Sequence, residues 1–586
     1  METPLAQYLF TRLRQLGLRS LFGVPGDYNL RLLDHVAPAG LDWVGNCNEL
    51  NAGYAADGYA RIKGLGALVT TFGVGELSAI NAVAGAFTER APVVQIVGKP
   101  PRATQDARTV VHHTLGDGEY GHFARMHTAI TVAQASLRDP QTAPAQIDVV
   151  LQQCLLHSRP VYIEIPDDLV DVPVSTERLK TPLTLDMDTP SQSDEEVVSF
   201  LLERIHAAKA PLIFVDGESR AFNLVKEINE LVRATQWPVW TSTWGKSLVD
   251  ETLPNCYAIY DGECAPYKTY FDASDLVLCF GPHYSNTNSN FFQAIPSPAV
   301  TVNFTGTSVG TAKKTFYNLR VKAILSRLLA ALDTSRLPVS LVVATELARV
   351  EQEGKEPTLP LQLTQKSLWP AMATFLRPGD IILTETGTSA YGLRSIRLPE
   401  QTRLFGPATW LSIGYMLPAT LGAALAQREI QQGEHNADFT TFMPSTAEGR
   451  TILFIGDGSL QMTVQEISTM LRERLDIILF VVNNDGYTIE RCIHGKNQAY
   501  NDVAPWRYLL APAFFSAYGN EETDVSESSE SLRSRNTLYV KDGDDLRALL
   551  QNEHLADGKG LRMAEVRLAR EDAPEGALTR LLALQE

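Results

Sequence analysis

Short, mostly apolar runs punctuate the chain. Ala67–Thr71, Val93–Val97, Val161–Ile165, Leu212–Val215, Leu276–Phe280, Thr451–Ile455 and Ile477–Val482 each span four to six residues. A strand that is apolar on both faces belongs in the middle of a sheet covered by helices above and below. Stretches with helical spacing lie between the runs. Leu5, Leu9, Leu13 and Leu16 share one side of an N-terminal helix, and Met462, Ile467, Met470 and Leu471 one side of a helix over Met462–Arg472. Alternating strand and helix predict doubly wound α/β domains with parallel sheets. Two polar stretches rich in Thr, Ser, Asp, Glu or Pro, Pro173–Glu196 and Glu351–Gln365, read as linkers, which gives three domains at 1–178, 195–350 and 361–586. The Ser-, Glu- and Asp-rich segment Glu521–Asn536 reads as a mobile surface loop.

Size agrees with this division, since 586 residues are too many for one hydrophobic core. Hydrophobic residues make up 44% and charged residues 20%, the balance of a folded chain. The formal net charge is -17, from 68 acidic and 51 basic side chains, and no basic stripe offsets it. Nucleic acid and anionic membranes are therefore excluded as partners. No apolar run is long enough to cross a bilayer. Arg12 and Arg14 in the first helix would suit a mitochondrial presequence, but the helix runs without a linker into the segment at Gly23 and so reads as a core element. The six cysteines form no CxxC pair, which points to a reducing compartment without a zinc site; the expected location is the cytoplasm.

The chemistry concentrates at two predicted strand ends. Thr451–Ile455 ends in Gly456-Asp457-Gly458-Ser459, and Ile477–Val482 ends in Asn483-Asn484-Asp485-Gly486. In an open parallel sheet, ligands bind beyond the carboxyl ends of the strands. Asp457 offers a carboxylate and Asn484 an amide oxygen, the hard donors that magnesium takes beside phosphate oxygens. Glycines let backbone approach a diphosphate, and the following helix start favours negative charge. Rival phosphate loops fail on detail: Gly245-Lys246-Ser247 lacks the leading glycine of a Walker loop, with Trp240 in its place, and Gly73-Val74-Gly75 has Ser78 where a dinucleotide fingerprint needs its third glycine.

The Gly-Asp-Gly-Ser and Asn-Asn turns resemble the thiamine-diphosphate signature. Gly23–Asp27, Asn46–Asn51, His112–Leu115, Thr384–Thr388 and Asn483–Gly495 extend the resemblance over nearly the whole chain, to the thiamine-diphosphate-dependent pyruvate decarboxylases and the fungal kind in particular. That resemblance implies an N-terminal pyrimidine-binding domain, a middle domain and a C-terminal diphosphate-binding domain. It implies thiamine diphosphate and Mg2+ as cofactors. The implied reaction is non-oxidative decarboxylation of a 2-keto acid, pyruvate to acetaldehyde and carbon dioxide as in fermentation, through an ylide and an enamine.

The resemblance also assigns residues. Glu49 holds the aminopyrimidine ring, and its small or aromatic neighbours Ala52, Gly53, Tyr54, Ala55 and Ala56 suit a raised pKa. Asp27, His112, His113 and Glu490 serve as acids and bases around the substrate. The two adjacent histidines need a loop, because on a helix they would point apart. Glu490, facing a carboxylate substrate, would be pushed toward its protonated form. Asp457, Asn484 and the Gly486 carbonyl hold the metal. Thr388, Leu411, Ser412, Ile413, Gly458, Ser459, Asn484, Asp485, Gly486, Tyr487, Thr488 and Ile489 contact the cofactor, Ile413 as an apolar wedge. In this family the N- and C-terminal domains meet across subunits, which implies at least a homodimer, and a homotetramer as a dimer of dimers. The strand end Asp216–Arg220 lacks the cysteine tied to substrate activation in some yeast relatives. Two other readings stay open. One is a decarboxylase of larger keto acids such as phenylpyruvate, indolepyruvate or branched-chain acids, although bulky Ile489 and Ile493 favour a small pocket. The other is a catalytically silent assembly homologue, against which the intact set Glu49, Asp457, Asn484 and Glu490 speaks.

Overall fold

The computed structural model describes residues 1–183, 192–338, 359–434, 449–516 and 536–585. All but the last residue of the predicted loop Glu521–Asn536 lies outside them, as do 184–191 and 351–358 of the two predicted linkers.

The buried apolar runs form the centres of three sheets. The first sheet lays six parallel strands side by side in the order Asp42–Gly45, Ser20–Gly23, Gly66–Thr71, Val93–Lys99, Val161–Pro166 and Gln134–Ser136. The third sheet has the order Arg403–Phe405, Ile381–Thr384, Thr451–Gly456, Ile477–Asn483, Leu561–Arg567 and Thr537–Val540, again all parallel. Counted in chain order, both sheets read 2-1-3-4-6-5. The order reverses between the first and third strands of each, which is where doubly wound sheets bind ligands. The middle sheet has five parallel strands and then departs from the expected all-parallel pattern. Val309–Gly310 and Thr315–Phe316 add an antiparallel edge hairpin too short and polar to show as apolar runs.

Two further expectations change. Pro173–Ser175, read as the start of a linker, pairs antiparallel with Glu2–Pro4, and the helix Gln192–Ala207 begins inside the same polar stretch. The helix expected over Met462–Arg472 is broken: Asp457–Thr463 and Ile467–Arg472 are helices joined by a 3-10 turn at Val464–Glu466.

The first and third domains share one hydrophobic cluster, whereas the middle domain has its own. The seam between first and third is a crossing of the helices Glu49–Lys63 and Met416–Gln431. A Cβ on Gly58 would lie 2.1 Å from the Ala419 carbonyl oxygen, and one on Gly422 would lie 1.9 Å from that of Ala55, so only glycine fits either place. Beside the crossing, Ser20 Oγ, Tyr59 OH and Lys63 Nζ donate to the buried Glu429 carboxylate at 2.6, 2.5 and 2.7 Å.

Candidate active site

In the third sheet the two turns stand on adjacent strand tips, because Thr451–Gly456 and Ile477–Asn483 pair in parallel register. Asp457 opens the helix Asp457–Thr463 and is 1% exposed. Its carboxylate accepts from the Gly486 N–H at 2.9 Å. Burial, offset only by backbone N–H groups, pushes its pKa up to about 6. The chain reverses after Asn484 through Gly486 at φ +118, a conformation side chains rarely allow.

The Asn484 amide has two orientations. With its nitrogen inward it donates to Asp457 Oδ1 at 3.2 Å and to the Gly486 carbonyl at 3.0 Å, and its oxygen accepts from the Thr488 hydroxyl at 2.8 Å. With its oxygen inward, three oxygens converge at those distances with no proton between them. The first arrangement satisfies the site without an ion; the second is the donor set of a hard divalent cation such as magnesium. The residues therefore fit that ion.

The other residues assigned to this end gather nearby. Thr388 Oγ1 faces the Asn484 amide at 3.5 Å. Gly458 and Ser459 are buried in the first turn after Asp457. Thr488 opens the helix Thr488–Ile493 and its hydroxyl also reaches the Arg570 carbonyl at 2.9 Å. Ile489 is half-buried against Cys492, Ala573 and Leu578, and Glu490 one residue on is exposed in the single chain. The Asp485 carboxylate is engaged by Arg567, so what it offers a ligand is backbone. Tyr487 is half-buried, with its ring over Gly458. Leu411, at φ +55, leads into Ser412 and Ile413; Ser412 Oγ is held by Tyr54 OH at 2.7 Å and Asn81 Nδ2 at 3.1 Å, both from the first domain.

In the first sheet, Asp27 follows the tip of Ser20–Gly23 and Glu49 the tip of its neighbour Asp42–Gly45. His112 and His113 occupy a turn, and His113 takes φ +68, which swings both rings toward one carboxylate. His112 Nε2 lies 2.5 Å from Asp27 Oδ2 and His113 Nε2 lies 3.8 Å from Asp27 Oδ1. Tyr28 stacks on His112 at 5.0 Å, and Phe72 meets His113 edge-on at 6.0 Å. The three ligand atoms lie within 4.8 Å of one another, close enough for a cation as well as a proton. A carboxylate bonded to an imidazole is a pair through which a proton can be passed. Glu49 sits in the first turn of its helix, capped by Asn48, whose side chain accepts from the Asn51 N–H at 2.8 Å. Glu49 is half-buried, and burial raises its pKa.

These residues form two sets, one at each sheet. Among the described residues no hydrogen bond joins Asp27, His112 or His113 to Asp457 or Asn484. Two carboxylates escape the sequence reading. Glu466 is fully buried and accepts from Asn46 Nδ2 at 2.8 Å and Asn51 Nδ2 at 2.7 Å, tying the third domain to the segment that carries Glu49. Glu385 is fully buried and accepts from the Thr386 and Met416 N–H groups at 2.8 and 2.9 Å; burial pushes its pKa up to about 7. Glu466 did leave a signal, as the only charged residue between Gly458 and Leu471.

Three family models match the chain in order. Their descriptions are thiamine pyrophosphate enzyme, N-terminal TPP binding domain at residues 3–120, central domain at 198–332 and C-terminal TPP binding domain at 385–561. Pyruvate decarboxylase of Aspergillus parasiticus is 52% identical over 576 residues, covering 98% of this chain and 96% of that one. Pyruvate decarboxylase of Aspergillus fumigatus is 39% identical, covering 97% and 95%. Pyruvate decarboxylase isozyme 3 of Saccharomyces cerevisiae is 37% identical, covering 98% and 97%. Among solved structures, a thiamine diphosphate-dependent 4-hydroxybenzoylformate decarboxylase of Rhodococcus jostii shares the fold at a TM-score of 0.74 and 17% identity, covering 97% of this chain and all of that one.

Proposed function

We propose that this chain, which belongs to the thiamine pyrophosphate enzyme family, removes carbon dioxide from a 2-keto acid, and that the acid is pyruvate. The observation that carries the reading is end-to-end likeness to fungal proteins named pyruvate decarboxylase. The products are acetaldehyde and carbon dioxide.

Bound thiamine diphosphate supplies an electron sink for the pair left when carbon dioxide departs. The chain's own residues do the rest. Asp457, Asn484 and the Gly486 carbonyl hold Mg2+, and Thr388, Gly458, Ser459 and the 484–489 turn hold the diphosphate end. Glu49, its pKa raised by burial, shares a proton with the ring nitrogen of the pyrimidine. The Asp27, His112 and His113 cluster gives and takes protons at the reacting carbon, and Glu490 faces the substrate carboxylate. Leu411, Ser412 and Ile413 support the rings.

The acid–base set and the metal set come together across two copies of the chain. Support comes from the exposure of Asp27, His112 and Glu490 in one copy, and from exposed apolar Val110, Leu115, Met462 and Trp506. The assembly is a homodimer at least, extending to a homotetramer. The protein acts in the cytoplasm; no described helix is long and apolar enough to cross a membrane.

The test is turnover of a keto-acid panel with thiamine diphosphate and Mg2+, with aldehyde release coupled to an alcohol dehydrogenase. Pyruvate should be the preferred substrate. Preference for phenylpyruvate, or silence with every acid, would overturn the reading. Sedimentation should give two or four copies.

A further inference from the structure

One face of the first sheet carries a buried ionisable chain that the proposed chemistry does not use. Lys99, Tyr162, Glu164 and Glu76 are 3, 1, 3 and 0% exposed. Lys99 Nζ donates to Glu164 Oε1 at 2.6 Å, Tyr162 OH lies 3.1 Å from the same oxygen, and Tyr162 OH donates to Glu76 Oε2 at 2.6 Å. The only other titratable group facing Glu76 among the described contacts is buried His127, whose Nδ1 lies 3.8 Å away and bonds the Phe123 carbonyl. Buried ion pairs can often be replaced by apolar side chains of similar volume without loss of stability, so what the Lys99–Glu164 pair and its hydroxyl and carboxyl neighbours supply here is a fixed geometry.

One end of this hydrogen-bonded chain touches the loop that carries His112 and His113 directly, and the other reaches it through Gly73. At one end, Lys99 Nζ donates to the Tyr120 carbonyl at 2.8 Å, and Tyr120 OH donates to the Thr109 carbonyl at 2.7 Å, which closes the stem of the loop. At the other end, Glu76 Oε1 accepts from the Gly73 N–H at 2.8 Å. Gly73 lies directly under the tip: a Cβ there would be 2.3 Å from the His113 carbonyl oxygen. Phe72, next to Gly73, meets the His113 ring.

Resting on the decarboxylase reading above, we infer that Glu76 and Tyr162 are positioning residues which set where His113 stands against Asp27, and with it the proton transfer that cluster performs. Burial pushes Glu76 up to about 7 and raises Tyr162, so the Tyr162 hydroxyl stays a donor to Glu76.

The experiment compares Tyr162→Phe, Glu76→Ala and Glu76→Gln with the parent holoenzyme, loaded with thiamine diphosphate and Mg2+. Tyr162→Phe and Glu76→Ala should lower kcat about tenfold, a common result of misplacing a catalytic group, with KM for pyruvate nearly unchanged. The acid limb of the kcat/KM profile should move with them, and Glu76→Gln, which keeps an acceptor for Gly73, should restore most of the rate. Should Glu76→Ala not fold, Tyr162→Phe decides, since it removes one hydroxyl and keeps the ring. Unchanged kcat and pH profile in Tyr162→Phe, or a loss fully matched by lower cofactor occupancy, would overturn the inference. Carbon-13 histidine NMR reads the His113 titration without turnover and should differ between parent and Tyr162→Phe. A silent parent with a shifted His113 therefore overturns the pyruvate reading alone, and an unshifted His113 overturns this inference alone.

Discussion

At the tips of the first sheet stand a half-buried carboxylate, an exposed one and two imidazoles; at the tips of the third stand a fully buried carboxylate, an amide and a turn of backbone donors and acceptors. The strand order beneath them is the same, 2-1-3-4-6-5, and so is the point at which it reverses. The two sets stand on different tips of that shared scaffold, Asp27 and Glu49 after the first and second strands and Asp457 and Asn484 after the third and fourth, so the scaffold alone does not decide which chemistry a tip suits. That is decided by burial at the tip. Where the carboxylate is sealed among backbone groups, as at Asp457, it suits a cation. Where it stays open beside imidazoles, as at Asp27, it has ring nitrogens within reach as partners.

This contrast can be broken most severely at the metal end. Replacing Asp457 by Asn should cut turnover about a thousandfold, the several kcal/mol that an ion supplies, and abolish magnesium-dependent cofactor binding as read by tryptophan fluorescence. Normal cofactor binding in that variant would erase the proposed division of labour. At the other sheet, Glu49→Gln should lower turnover about a hundredfold or more while the cofactor still binds, because only proton sharing is lost.

A stability test sharpens the comparison further. Glu385 in the third domain has a folded pKa of about 7 against an ordinary 4.5. Its contribution is thus present in full below 4.5 and is lost as pH rises through about 7, up to roughly 3 kcal/mol. Unfolding midpoints of the apoprotein should fall from about pH 5 to about pH 8, and Glu385→Gln should flatten that slope. The smallest effect belongs to the seam. Ser20→Ala removes one donor to Glu429 and should cost about 1 kcal/mol in urea unfolding, with activity intact.

Much of this architecture is legible in the residues. Thr451–Ile455 and Ile477–Val482 announce central strands because both their faces are apolar, and the turns at their carboxyl ends are polar enough to mark a site. The shared strand order is not legible. It depends on edge strands such as Gln134–Ser136 and Arg403–Phe405, three residues each and partly polar, whose place is fixed by neighbours distant in sequence. The same reason hides Pro173–Ser175, whose partner Glu2–Pro4 lies at the other end of its domain. Adjacent His112 and His113 suggest a loop, but their distance from Asp27 depends on a left-handed backbone at a non-glycine residue, which no pattern encodes. Glu466 and Glu385 are single acids, and only tertiary packing reveals that their partners are Asn46, Asn51 and Met416.

The glycine crossing of Glu49–Lys63 with Met416–Gln431 has a mechanical consequence. Two backbones in direct contact leave no gap for a side chain to wedge open, so the helix headed by Glu49 is seated directly on the helix that packs beneath the third sheet. In the proposed dimer those two features serve different reaction centres.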